Sequence, residues 1–526
     1  MELRCVLVGV GALPVQCGEL LLRRGHRIAA VVTQDARLER WAEKQGAPCF
    51  PPSAEGLSAL AAIPCDCLLS IVNPWVLPAE TLRLARRLAI NYHDSLLPAY
   101  GGTHAATWAL WAGEAEHGIT WHTMEERVDR GDILKQERFA VAPQETSFTL
   151  NMKCYEAALC TFGALVEEIE ADRLTRRPQA ADGSFHRRAE RPAGGGILSW
   201  ASPAEELERQ VRALDFAATP NPMGCAKIAA GERFVIVRRL EVLATPSTVP
   251  PGTVTGLAGT ALQVSTASHD VALREVATVD GRPLGTADLL QELRLHRGYR
   301  FREIDAETAG RAARLGAALV PHEAAWASRL ARLQPVCLPG RGEAVESGGG
   351  DPLILQLAAP VPIERLIAAS ALLIARLTGA SLFDLGYRGH ALAEEVRGLE
   401  GLFAASVPLR VDLGAAQTVE EAVAGVREAL AWAERHRTFA RDLVPRIPQL
   451  QTVEALRRQP KLDIRVEVVR PGGPLFETGG DLVLAVESPE DGEPGVTSAC
   501  RLWSPAAPAA GQAWQHELAG LLAGRP

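Results

Sequence analysis

The 526-residue chain has no apolar run long enough to cross a bilayer as a helix. Its longest, "LIAASALLIA" at 366–375, is half the ~20 residues a helical span needs. The opening "MELRCVLVGVGALPVQCG" lacks the long uninterrupted apolar stretch of a secretory leader, because Gly9, Gly11 and Pro14 break it and no clear small-residue cleavage pattern follows. The same stretch fails as a dinucleotide fingerprint, since Pro14 stands where the third glycine belongs. Ten cysteines are present but none forms a CxxC pair; Cys65 and Cys67 are too close together. That argues against a thiolate metal site or a dithiol redox site, and predicts reduced, mostly buried thiols in a cytoplasmic protein. No convincing metal-ligand set occurs elsewhere. Basic residues are not in excess: 55 Lys and Arg stand against 63 Asp and Glu, a formal charge of −8. A nucleic-acid partner normally needs a basic face, so this balance argues against one. There is no internal repeat.

What is present is an ordinary globular composition, 47% hydrophobic and 22% charged, at a length that implies two to four domains. From the N-terminus, apolar runs alternate with amphipathic ones. "LRCVLVGV", "RIAAVVTQ", "DCLLSIVN" and "LAINYH" read as strands. The segments ending at Gly25 and Gly46, and "PAETLRLARR", read as helices. Such alternation predicts a mostly parallel sheet covered on both faces, with ligands bound beyond the C-terminal strand ends. "GSFHRRAERPAGGG" at 183–196 reads as a linker. One helix, "PAEELERQVRAL", and several short strands fill 197–300. Residues 303–336 read as helical, and 338–352 as a second linker. From 353 onward, helices at 362–378 and 418–437 and strands at 405–413, "LDIRVEVV" and "DLVLAVES" make a third α/β domain ending in a helix.

One such strand end reads "NYHDSLLP" (91–98). Asn, His and Asp are turn formers, and Asn91 or Asp94 could simply cap the next element. But a loop fixed by proline and glycine follows, not a helix. A second polar loop, "MEERVDRGDIL" (124–134), lies between two strand-like runs, so the two loops could face each other across a cleft.

The stretch from "NYHDSLLPAYGG" through "HGITWHTMEERVDRGDIL" resembles the folate-dependent formyltransferases, and is most similar to those associated with nonribosomal peptide synthetases. Their signature is Asn-x-His, a "SLLP" loop, and an Asp thirty-six residues after the His. The resemblance implies a Rossmann-like catalytic domain over 1–182 and a catalytic trio of Asn91, His93 and Asp129, with Asp132 at the wrong spacing. It implies 10-formyltetrahydrofolate as formyl donor and no metal. Asn91 and His93 would donate hydrogen bonds to the oxyanion that forms as an amine attacks the formyl carbon. Asp129 would carry the proton from amine to folate nitrogen, directly or through a water, and favour a charged His93. By position, Trp75, Val76 and Leu77 of "WVLP" match the loop whose backbone holds the pterin, and Met124, Glu125, Glu126, Arg127 and Val128 close its other side. Trp75 reads equally as an ordinary core aromatic, and His122 as a satisfied buried histidine. Tyr92, between two site residues on a strand, should point the other way.

Residues 197–300 resemble the C-terminal, OB-like barrel domain of the same enzymes, through "ILSWASPAEELERQVRALDF", "NPMGCAKI" and "PPGTVTG". Residues 301–350 form a helical segment and linker. Residues 351–526 resemble the C-terminal lobe of a synthetase condensation domain, through "ALLIARLTGASLFDLGYRGH" and "EVRGLEGLFAASVPLRVDL". No HH pair occurs in the chain, so the condensation motif HHxxxDG is missing and no peptide-bond chemistry is expected. That lobe either docks a partner or is a remnant that stabilises the fold. Together these readings imply an N-formyltransferase acting on an amino-acid amine that is free, N-hydroxylated or bound to a carrier protein. A synthetase subunit could dock through 351–526; no nucleic acid or membrane partner is implied. In tRNA-acting relatives a basic insertion follows the second strand; here "DARLERWAEKQG" is mixed in charge. The alternatives are a methionyl-tRNA formyltransferase, a sugar-amine formyltransferase, or a non-catalytic synthetase adaptor.

Overall fold

The computed structural model describes residues 2–231, 233–258, 261–338, 353–457, 462–469, 482–487, 496–503 and 516–523. Contacts group the chain into two compact units. The first holds residues 1–190 with 205–217, the second 191–204 with 218–526.

The first unit opens with β1 (Arg4–Gly9), α1 (Ala12–Arg23), β2 (Arg27–Val32), α2 (Ala36–Lys44), β3 (Cys49–Phe50) and α3 (Ala54–Leu60). It continues with β4 (Cys65–Ile71), α4 (Ala79–Leu82), β5 (Ala85–His93), β6 (Gly101–Gly102) and α5 (Ala105–Ala112). β7 (Glu116–Thr123), β8 (Ile133–Ala140), α6 (Ser147–Glu170) and β9 (Phe185–His186) complete it. Seven strands form one sheet in the order β3-β2-β1-β4-β5-β7-β8. The pairs through β5 are parallel; β7 and β8 are antiparallel additions. The sheet is thus mostly parallel, as the alternating pattern predicts. Its near-continuous apolar strands are buried on both faces, which is why they lack period-two alternation. α6 is started by a capping box at Thr146 and lays Phe162 against Trp121 of β7, ring centroids 5.1 Å apart. Tyr92 joins that cluster, 5.5 Å from Trp121, and so points away from Asn91 and His93.

Two local expectations need correcting. The helix predicted over "PAETLRLARR" lasts only from Ala79 to Leu82; from Ala85 the chain pairs with β4, so sheet pairing overrides the helical propensity of the Leu/Arg run. The predicted linker at 183–196 is not free chain at its start. Phe185 and His186 form β9 and pair in parallel with β6.

In the second unit, a mostly antiparallel sheet runs β10 (Lys227–Ala230), β11 (Arg233–Pro246), β14 (His269–Thr278), β13 (Ala261–Val264), β12 (Val254–Ala258), with β15 (Pro283–Leu284) on β14. The helices Ala306–Leu319 and Glu323–Leu330 follow, within the segment read as helical. The region from 353 holds the expected helices at Ile363–Thr378 and Val419–His436 and a sheet of six strands, of which Leu353–Pro362, Leu382–Arg388 and Val496–Trp503 were not singled out in the sequence. One apolar core runs through it, with Trp326, Leu366 and Phe383 buried at its centre. The predicted linker at 338–352 lies almost wholly outside the described residues. Among the described residues no helix is long and apolar enough to cross a membrane, and the described cysteines are free.

Candidate active site

Strand register places the site's polar residues. Ser70 of β4 pairs with Asn91 of β5, and Asn91 pairs with His122 of β7, so these three side chains form a row on one sheet face. The row is hydrogen-bonded throughout. Ser70 Oγ donates to Asn91 Oδ1 at 2.7 Å, and Asn91 Nδ2 lies 3.1 Å from His122 Nε2. His122 Nδ1 donates to the Thr123 carbonyl at 2.8 Å, which fixes the tautomer: Nδ1 carries the proton and Nε2 accepts from Asn91. The second hydrogen of Asn91 Nδ2 is left for a ligand, and Asn91 is only half-buried.

Two residues on, His93 is 4% exposed at the end of β5. Its Nε2 donates to the Tyr100 carbonyl at 2.8 Å, and its Nδ1 lies 3.6 Å from Asp129 Oδ2. Acceptors face both ring nitrogens. At 3.6 Å the second contact is too long to be a hydrogen bond, so Nδ1 remains available to a third partner.

Asp129 comes from the β7–β8 loop. It is buried among exposed neighbours, Glu125 to Val128, and has a left-handed backbone with φ 55°. The Gly102 N–H donates to its Oδ2 at 2.8 Å, and Oδ1 lies 3.5 Å from His122 Nε2. Burial alone would push the carboxyl up. The charge on His93 and the Gly102 N–H outweigh burial and hold it at about 2. Two glycines make this approach possible. A Cβ on Gly131 would fall 1.8 Å from the Thr123 carbonyl oxygen, and one on Gly102 would fall 2.0 Å from that of His186.

Asn91, His93 and Asp129 therefore converge, although the last comes from a different loop. His122, which the sequence reading offered as a satisfied buried histidine, also touches this group: strand pairing sets it beside Asn91, and Asp129 reaches it from the β7–β8 loop. The Asp94 carbonyl accepts from His117 Nε2, and the Asp132 carbonyl accepts from the Thr123 N–H. Trp75 and Met124 are half-buried against one apolar cluster that includes Leu77. Leu77 is a core side chain, so only its backbone is free to meet a ligand, while Val76 is 76% exposed. Asn73 shapes this loop: it donates to the Trp75 carbonyl at 3.0 Å and accepts the Trp75 N–H at 2.9 Å. Among the described residues no three His, Cys, Asp or Glu side chains gather as a metal site would require.

Comparison with known proteins matches residues 53–162 to the family described as "Formyl transferase" and 194–294 to "Formyl transferase, C-terminal domain". Methionyl-tRNA formyltransferase of Methylibium petroleiphilum is 34% identical over 247 residues, 46% of this chain and 74% of that protein. Methionyl-tRNA formyltransferase of a Synechococcus is 30% identical over 283 residues, 49% of this chain and 82% of that protein. Among solved structures, the sugar 3N-formyl transferase WlaRD, with dTDP and 5-N-formyl-THF, is 14% identical. It spans 52% of this chain and 98% of that one, with a TM-score of 0.41. HypX from Aquifex aeolicus, in complex with tetrahydrofolic acid, is 16% identical, spanning 58% of this chain and 50% of that one, also with a TM-score of 0.41.

Proposed function

We propose that this chain, which belongs to the formyl transferase family, moves the formyl group of 10-formyltetrahydrofolate onto an amine. The observation that carries the reading is the convergence of Asn91, His93 and Asp129, with one Asn91 N–H and the His93 Nδ1 unspent. As the amine attacks, negative charge grows on the formyl oxygen. The second N–H of Asn91 and the Nδ1–H of His93 are the donors that meet it. Asp129, ionised by its surroundings, takes the proton released by the amine and passes it to the folate nitrogen. The pterin lies along Trp75–Leu77, with the 124–128 loop on its other side. Formyl transfer from that donor to a set of amines, read by mass, tests this. An Asn91→Ala, His93→Ala or Asp129→Ala protein as active as the wild type would overturn the site.

The acceptor is an amine on an amino acid, free, N-hydroxylated or carried by a synthetase's carrier protein. The acidic balance and the mixed charge of α2 support this over a polyanionic acceptor. In this reading the sheet of 227–284 is an OB-like barrel, and the lobe from 353 is condensation-like and docks a synthetase subunit. The protein works in the cytoplasm, in keeping with free thiols throughout its described part. A second reading has its own support: the relatives at 34% and 30% identity are methionyl-tRNA formyltransferases. Binding to initiator tRNA that weakens steeply with salt would favour that acceptor. A sugar amine is the third candidate in the same screen.

A further inference from the structure

We propose that residues 177–186 are a strap that fixes the two catalytic loops against each other, and that Gln179 is its positioning residue. This rests on the formyl-transfer reading for its kinetic meaning but not for its geometry. Gln179 Nε2 donates to the Asp129 carbonyl at 3.0 Å and to the Gly131 carbonyl at 2.7 Å. One amide thus spends both hydrogens on the backbone flanking the catalytic carboxylate. The opposite amide orientation would set Oε1 against two carbonyl oxygens, so the assignment is forced. The Gln179 Oε1 is buried without a partner, so the two donated bonds alone orient the side chain. They act where the loop needs holding, since Asp129 has φ 55° and its preceding neighbours are exposed.

The rest of the strap is pinned to β8 on one side of Gln179 and grips the other loop on the other side. Before Gln179, Arg177 exchanges backbone bonds with Ile133, at 2.8 and 2.9 Å. After it, the Tyr100 N–H donates to Ser184 Oγ at 2.7 Å, the Gly101 N–H to the Ser184 carbonyl at 3.0 Å, and the Thr103 N–H to the His186 carbonyl at 3.0 Å. The gripped residues are those that serve the site: the Tyr100 carbonyl holds His93 Nε2, and the Gly102 N–H holds Asp129 Oδ2. Neither loop is tied to the other by a regular strand pair, so the strap spans the gap. A Cβ on Gly183 would fall 2.2 Å from the Pro98 carbonyl oxygen, which shows how closely the strap lies on the "SLLP" loop.

The test uses the full chain with Gln179→Met, which keeps length and removes both donors. Amide hydrogen exchange, read peptide by peptide, is expected to quicken over residues 124–132 and stay unchanged in β1 and β4. In formyl transfer, kcat should fall about tenfold or more, towards the ~10²-fold that small misplacement can cost, with the donor KM within about twofold. In an Asp129→Asn background, Gln179→Met should lower kcat no further, since it acts through that carboxylate. Unchanged exchange over 124–132 overturns the strap, as do losses that multiply. Quickened exchange in a chain whose wild type formylates no amine keeps the strap and overturns the formyl-transfer reading. Should Gln179→Met not fold, Ser184→Ala removes one strap contact from the Tyr100 side. Quickened exchange over 98–103 supports the strap, and wild-type exchange there overturns it.

Discussion

Asn91 Nδ2 lies 3.1 Å from His122 Nε2, and this contact decides which way the Asn91 amide faces. With Oδ1 taking the Ser70 hydroxyl, the amide is locked from both sides, and its remaining hydrogen has a fixed direction. A preset donor of this kind costs no reorganisation when charge develops on a substrate oxygen.

Removing that donor should therefore slow the chemical step. Asn91→Ala is expected to lose roughly 10²–10³ in kcat, with a smaller change in donor KM. His122→Phe, which keeps the ring but frees the Asn91 amide, should lose less than Asn91→Ala. The two losses should not multiply in the double variant, because one acts through the other. Steady-state formyl transfer measures all three.

The pH dependence follows from Asp129. Its folded value, about 2, lies below its ordinary 3.8. Below both values it contributes nothing to stability; above them it contributes about 2 kcal/mol, lost as pH falls from near 4 through about 2. The difference in unfolding free energy between wild type and Asp129→Asn should therefore shrink as pH falls from ~4 through ~2. Denaturant titrations across that range check this. The acid limb of activity should not report Asp129, which stays ionised well below neutrality.

Asn91, His93 and Asp129 were legible because their spacing and the "SLLP" loop are written in residue types. The sheet was legible because buried parallel strands are apolar runs. Other features carry no such mark. His122 joins the site through its register opposite Asn91, which no local pattern encodes. Gln179 acts on carbonyl groups, which every residue has, so nothing in the sequence of its targets announces it. The short α4 failed for the opposite reason: "LRLARR" has a helical signal, and pairing with β4 overrules it.

The loop glycine gives a sharper test of geometry than any polar substitution. Gly131→Ala would set a methyl 1.8 Å from the Thr123 carbonyl oxygen, a backbone atom that cannot swing aside. The loop must move, and Asp129 with it. Activity should fall by an order of magnitude or more. Thermal stability should change much less than after a core truncation, because neighbouring residues 125–128 are exposed. Equal losses in both would mean that the loop is structural and not a holder of Asp129.

The second unit has its own buried charges. Asp442 is 3% exposed, and its Oδ2 lies 2.6 Å from Lys227 Nζ while its Oδ1 accepts from Arg446 Nε at 3.1 Å. Arg446 also donates to the Asn221 carbonyl at 3.1 Å and to Glu323 at 2.5 Å. Burial would push the Asp442 carboxyl up; the two cations and the Cys225 N–H hold it far below its usual range. One carboxylate therefore ties strand β10 to the helical turn at Leu443–Arg446. Asp442→Ala leaves the buried Lys227 without its counter-ion and Arg446 with Glu323 alone, and should destabilise the second unit by about 3–5 kcal/mol. Replacing the ion pair together, Lys227→Met with Asp442→Leu, removes the unpaired charge and should recover part of the loss. Urea unfolding of the full chain measures it. A double variant no more stable than Asp442→Ala would show that the hydrogen bonds, and not the opposed charges, hold this junction.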